Sequence, residues 1–124
     1  MDFKDDIVAI STPTGMGAIA LIRITGDNAL MKVEPFFKSR SGTSISDIKS
    51  HSILYGDFTY DDEIIDEVVL SYFAKGKSFT GQETVEISCH GSTYIQKTII
   101  EKLLTNNIRL AKAGEFTMRA FLNG

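Results

Sequence analysis

Thr84-Val85-Glu86-Ile87-Ser88-Cys89-His90 changes side at every residue, and the fold follows from what comes after it. Val85, Ile87 and Cys89 face one way while Glu86, Ser88 and His90 face the other, the pattern of a strand with one buried face. Gly91-Ser92 interrupts it, and from Thr93 to about Asn106 the period becomes helical. Ile95, Ile99, Ile100, Leu103 and Leu104 supply the apolar stripe. A strand passing straight into an amphipathic helix predicts a sheet with helices packed on it.

Working outward, Ile7–Ile10 and Ala18–Ile24 read as two short buried strands, the second apolar except for Arg23. Between them Ser11-Thr12-Pro13-Thr14-Gly15-Met16-Gly17 is made of loop formers. Gly26-Asp27 marks a turn and a helix cap. Ala29, Leu30, Val33, Phe36 and Phe37 recur at helical spacing, and Pro35 stops the regular helix near Glu34. The serine-rich stretch Lys38–Ser50 predicts a long mobile loop. Ser52–Tyr60 and Ile64–Phe73 predict a hairpin around Asp61-Asp62-Glu63. Ile108–Ala113 predicts a last strand, and Gly114 precedes a terminal helix carrying Phe116, Ala120 and Phe121 on one face. The expected class is α+β, a mixed β-sheet packed with about three helices.

Length and composition bound the rest. The chain has 124 residues, 43% apolar and 23% charged, which suits one globular domain. Sixteen acids against thirteen bases leave a net charge of −3, which argues against a domain that binds by coating a polyanion with positive charge. The single cysteine, Cys89, excludes an internal disulfide and fits a reducing compartment. No apolar run approaches the roughly eighteen residues of a membrane span. The acidic start Met1-Asp2-Phe3-Lys4-Asp5-Asp6 has no signal-peptide character, so a cytoplasmic location without membrane contact is expected.

Candidate chemistry divides sharply. Thr14-Gly15-Met16-Gly17 leads into a strand, whereas phosphate-binding glycine loops lead into a helix. Gly76-Lys77-Ser78 lacks the glycine a P-loop needs five positions earlier, where Ser71 stands. Cys89 and His90 are adjacent on a strand, so thiol and imidazole point apart; this excludes a nucleophile–base pair, and with His51 there is no metal-ligand spacing. Arg23 needs a polar partner in its apolar strand: it snorkels at the strand end, joins a structural ion pair, or meets a ligand's carboxylate or ring edge. Glu86 is either a solvated strand glutamate or a pair of acceptors matched to an aminopyrimidine edge.

Three blocks in order resemble one family. They are Ser11–Gly26, Ser78–Gly91 (Ser-Phe-Thr-Gly-Gln-Glu-Thr-Val-Glu-Ile-Ser-Cys-His-Gly) and Gly114–Gly124 (Gly-Glu-Phe-Thr-Met-Arg-Ala-Phe-Leu-Asn-Gly). Together they are similar to the N-terminal signature of the MnmE (TrmE) family of tRNA-modifying GTPases. Departures are Met16 for a basic residue, Ser92 for a second glycine, and Lys112-Ala113-Gly114-Glu115 for an Arg-Pro-Gly-Glu stretch.

The resemblance implies that residues 1–124 are an N-terminal folate-binding and dimerisation domain, with a helical and a GTPase domain following in the full protein. It implies a fold similar to tetrahydrofolate-binding domains of one-carbon enzymes, 5-formyltetrahydrofolate as ligand, and a homodimer. Arg23 and Glu86 are the folate contacts it carries over, Glu86 toward the pterin's amino edge. A third family contact, a lysine, falls directly after Gly124. GTP, Mg and K belong to the family's GTPase domain. The full protein is expected to work with MnmG (GidA) on the wobble uridine of tRNA, adding an aminomethyl or carboxymethylaminomethyl group at C5. No catalytic residue is expected in this chain itself. The alternative is an assembly module that dimerises without binding folate when cut at this point. A free-standing one-carbon transferase finds no acid–base pair here.

Overall fold

The computed structural model of the chain describes residues 4–12 and 17–123. Pro13-Thr14-Gly15-Met16, the centre of the first glycine loop, lies outside the described residues, as does Gly124.

The chain runs β1 (Ile7–Ile10), β2 (Ile19–Thr25), α1 (Ala29–Val33), β3 (Phe37–Ser39), β4 (Ser52–Tyr60), β5 (Glu63–Phe73), β6 (Thr84–His90), α2 (Thr93–Leu104), β7 (Arg109–Leu110) and α3 (Glu115–Leu122). Among the described residues the strands form one mixed sheet of seven in the order β3-β4-β5-β6-β2-β1-β7. Neighbours are antiparallel except β1 and β7, which are parallel. The expected α+β architecture with three α-helices is what the chain adopts.

Alternation assigns the faces. Val85, Ile87 and Cys89 join Val8, Ala20, Ile22, Ile24, Val68 and Leu70 in the core, closed by Ala29 and Val33 of α1 and Ile99 and Leu103 of α2. Ser92 caps α2, its hydroxyl accepting the Ile95 N–H. Gly91 donates to the Ala18 carbonyl, and a Cβ here would lie 1.9 Å from the Gly17 carbonyl oxygen. Only glycine fits where β6 turns into α2.

Several expectations are corrected. Asn28, not Asp27, is the cap residue of α1, with no side-chain cap bond. Glu83 accepts the Leu30 N–H instead, at 2.8 Å from a distant segment. Phe37 leaves the helix to start β3 after a 3-10 turn at Glu34–Phe36. The expected loop Lys38–Ser50 contains most of β3 and a second 3-10 turn, Ile45–Asp47. The β4–β5 hairpin turns on Asp61 and Asp62, both left-handed at φ 49° and 64°, and Glu63 already belongs to the strand. The strand expected over Ile108–Ala113 shrinks to two residues, because only Arg109 and Leu110 pair with β1 in register, with one further bond from the Ala111 N–H to the Val8 carbonyl.

The terminal helix forms where expected, but α3 packs through charges. Its apolar residues are not the most buried ones: Phe116 and Ala120 are half-buried, while Phe121 is 83% exposed and Leu122 52%. The buried face is Glu115 and Arg119, 6% and 0% exposed. Arg119 Nη1 donates to the Asp5 carbonyl (2.8 Å) and to Gln82 Oε1 (3.0 Å); Nη2 donates to Asp5 Oδ1 (2.6 Å) and Glu115 Oε2 (3.0 Å). Arg109 grips Glu115 through two parallel bonds and Asp5 through a third. Two carboxylates shared by two guanidiniums hold the helix against the N-terminal segment, in place of an apolar stripe.

This quartet makes stability pH-dependent. Hydrogen bonds from Arg109, against the cost of burial, hold the Glu115 carboxyl at about 2, below the 4.5 of an ordinary glutamate. A depressed folded value stabilises the fold above the unfolded value and is lost as pH falls through the folded one. The stabilisation is therefore complete above about pH 5 and drains away between 4.5 and 2, a loss of roughly 3 kcal/mol. Denaturant unfolding at stepped pH should show this decline, and Glu115→Gln should flatten it.

Candidate functional site

The face opposite α1 and α2 carries a row of side chains set by register. Ala9 pairs with Arg23, Arg23 with Glu86, Glu86 with Ser71 and Ser71 with Ile53, one residue from each of five adjacent strands. Both sequence-predicted residues therefore lie side by side at the middle of the open face. Arg23 Nε donates to Glu86 Oε2 at 2.7 Å, and Nη2 reaches the same oxygen at 2.6 Å. Both contacts fall on Oε2. Glu86 Oε1 and Arg23 Nη1 make no hydrogen bond within the chain among the described residues.

The pair forms one wall of a cavity of about 210 Å³. Phe73 and Phe79 add aromatic surface, Thr84 and Ser78 hydroxyls, and His51 and Lys77 basic groups. His51 is held in a left-handed backbone conformation at φ 65°, rare outside glycine. Its N–H donates to the Tyr72 carbonyl (2.7 Å), and its ring stands edge-on to Phe73 at 5.3 Å.

The loop carrying Lys77, Ser78 and Phe79 is fixed from behind. Thr25 Oγ1 shares hydrogen bonds with Thr80 (2.7 Å) and Thr84 (2.9 Å), and Ser78 Oγ donates to the Gln82 carbonyl. Asn123 Nδ2, just past α3, donates to the Thr80 carbonyl at 2.9 Å. The α3 charge network thus braces the cavity wall through Gln82 and Asn123.

Other motifs take structural roles. Gly76-Lys77-Ser78 sits in the connection between β5 and β6, with no helix after it. Cys89 is in the core, where burial and the neighbouring Asp66 push its thiol up to about 11. His90 points outward, away from the thiol; Asp66 meets its backbone N–H (2.8 Å) and its Nδ1 (2.7 Å), pinning the end of β6. A larger groove of about 440 Å³ lies between α2 and the β7 edge, lined by Ile10, Ile100 and Leu110 among others, and touches neither Arg23 nor Glu86. It offers apolar surface, and its charged lining is the exposed Lys97–Glu101 pair at 3.9 Å along α2.

Comparison with known proteins meets this geometry. A family model described as "GTP-binding protein TrmE N-terminus" matches residues 6–124. The chain belongs to the TrmE N-terminal family. It is 52% identical over 124 residues to the tRNA modification GTPase MnmE of Flavobacterium psychrophilum, covering all of this chain and 27% of that protein. The MnmE of Christiangramia forsetii is 50% identical over 123 residues, 99% of this chain and 26% of the relative. The Clostridioides difficile MnmE is 46% identical over the full chain and 27% of the relative. This TrmE-type chain spans about a quarter of the length of the curated relatives it matches. No helix among the described residues is long and apolar enough to cross a membrane.

Proposed function

We propose that this chain is the folate-binding, dimer-forming N-terminal domain of a GTPase that modifies the wobble uridine of tRNA. The observation that carries the reading is the half-used Arg23–Glu86 pair. Glu86 keeps one carboxylate oxygen for the adjacent N–H donors of an aminopyrimidine ring, and Arg23 keeps part of its donor fork for a ring oxygen or nitrogen. Phe73 and Phe79 flank the same cavity and suit a flat heterocycle. The donor set therefore fits 5-formyltetrahydrofolate. That ligand would supply a one-carbon unit, while this chain binds and orients it.

The whole protein's work rests on family membership and on the relatives' name. GTP, Mg and K belong to its GTPase domain, MnmG (GidA) is its partner, tRNA is the substrate of that complex, and the cytoplasm is its compartment. Exposed Ile19, Ile53 and Tyr55 on the open face support the homodimer.

One observation favours the assembly-module alternative: Arg23 and Glu86 already pair with each other at 2.6 Å. Titrating 5-formyltetrahydrofolate into the chain, with sedimentation at several concentrations, separates the two readings. A saturable dimer supports the folate domain, and a dimer with no heat of binding supports the assembly module. A monomer that binds nothing contradicts both.

A further inference from the structure

The helices on the core face of the sheet stop short of one edge. Among the described residues that layer is α1 and α2, which close the core through Ala29, Val33, Ile99 and Leu103. α2 lies over β1, β2, β5 and β6. Beside it, along the β1–β7 edge, the same face is open. Val8 pairs with Leu110, and Ile10 follows two residues along β1, so all three point to the helix side. Val8 is fully buried under the helices, yet Ile10 is 39% and Leu110 55% exposed. Ile10, Leu110 and Ile100 of α2 are the apolar lining of the groove of about 440 Å³, with Thr93, Lys97 and Glu101 along its α2 wall.

An apolar strip of sheet left open beside a packed helix is the place a further helix fills, at the roughly 8–10 Å spacing of neighbouring helices. The α2 wall also carries opposite charges one turn apart. Lys97 and Glu101 are both exposed and meet only at 3.9 Å, a contact too weak to occupy either charge. The chain spans about a quarter of the length of the curated relatives, which leaves ample polypeptide to supply such a helix. A segment tethered to this domain meets the groove at an effective concentration of about millimolar, so even modest affinity keeps it docked.

We infer that the groove between α2 and the β1–β7 edge docks an amphipathic helix of the same polypeptide, from the part that the relatives carry in addition to this quarter. Its apolar stripe sits on Ile10, Ile100 and Leu110, with a carboxylate facing Lys97 and a cation facing Glu101. The inference rests on the reading of this chain as one domain of a longer GTPase and is independent of folate.

Maleimide labelling of the whole protein and of the 124-residue chain, scored at the engineered site by peptide mapping, tests it. Cys89 is buried with its thiol pushed up to about 11, so it stays silent. Thr93→Cys should react about tenfold more slowly in the whole protein, the rate left when the groove is closed about nine-tenths of the time. Glu63→Cys, in the β4–β5 hairpin, should react alike in both. In the whole protein, adding Leu110→Asp should undock the helix and restore fast labelling at the Thr93→Cys site. Equal rates in the long and short proteins would overturn the inference, as would slowing that Leu110→Asp fails to relieve. Slowing that appears in the short chain as its concentration rises would make a second copy the occupant and overturn it too. A whole protein no longer than this chain by intact mass would take down the longer-GTPase reading and this inference together.

Discussion

Replacing Arg119 with alanine should destabilise the chain by about 3–5 kcal/mol, the cost of removing one partner from a buried ionic cluster. Arg119 is fully buried and makes four hydrogen bonds, to the Asp5 carbonyl and carboxylate, to Gln82 and to Glu115. Without it, the buried Glu115 carboxylate has only Arg109 to balance it, and the N-terminal segment loses its tie to α3. Native domains are stable by only about 5–15 kcal/mol, so the melting temperature should fall by something on the order of 10–20 °C. Arg119→Lys keeps the charge but cannot reproduce the forked bonds, and should fall between the parent and alanine. Amide exchange distinguishes this from a uniform loss: protection should drop first around Thr80 and Gln82. An unchanged melting temperature in Arg119→Ala would show that the network does not hold α3.

The same helix marks where sequence and structure part company. Phe116, Ala120 and Phe121 have the spacing of a buried stripe, yet the face that packs carries Glu115 and Arg119, four residues apart. Periodicity identifies a repeating face, and the nature of its partner decides whether that face is apolar. Here the partners are Arg109, six residues before Glu115, and Asp5, 114 residues from Arg119, a pairing no local pattern encodes. By contrast, β6 was fully legible. Its alternation leaves one register that buries Val85, Ile87 and Cys89, and a slip by one residue would expose all three. The two edge strands were poorly legible because β3 and β7, at three and two residues, exist only through their neighbours.

The site shows the same division. Arg23 and Glu86 stand out in the sequence as charges within apolar strands, and family resemblance joined them to one ligand. Their direct pairing across 63 residues is a product of β2–β6 register, which no local pattern encodes. His51, Lys77 and Phe79 carried no signal for the cavity. A left-handed histidine looks ordinary in sequence, and Gly76-Lys77-Ser78 invites only the phosphate-loop reading that its neighbours refuse.

Glu86→Ala should have the largest effect on ligand affinity and little on the fold. The Arg23–Glu86 pair is partly exposed, so its loss should change stability by no more than about 1 kcal/mol. In the complex the carboxylate would be covered by the heterocycle, and truncating one side of such a charged contact costs about 2–5 kcal/mol. That corresponds to roughly a thirtyfold weakening or more. Arg23→Met should also weaken binding while leaving Glu86 in place. The decisive measurement is a titration of 5-formyltetrahydrofolate into the parent chain and Glu86→Ala side by side, after equal melting curves confirm that both are folded. The parent should bind saturably, with at least a thirtyfold weaker constant for the variant. Equal affinity in the two chains would contradict the assignment of the pterin to Glu86.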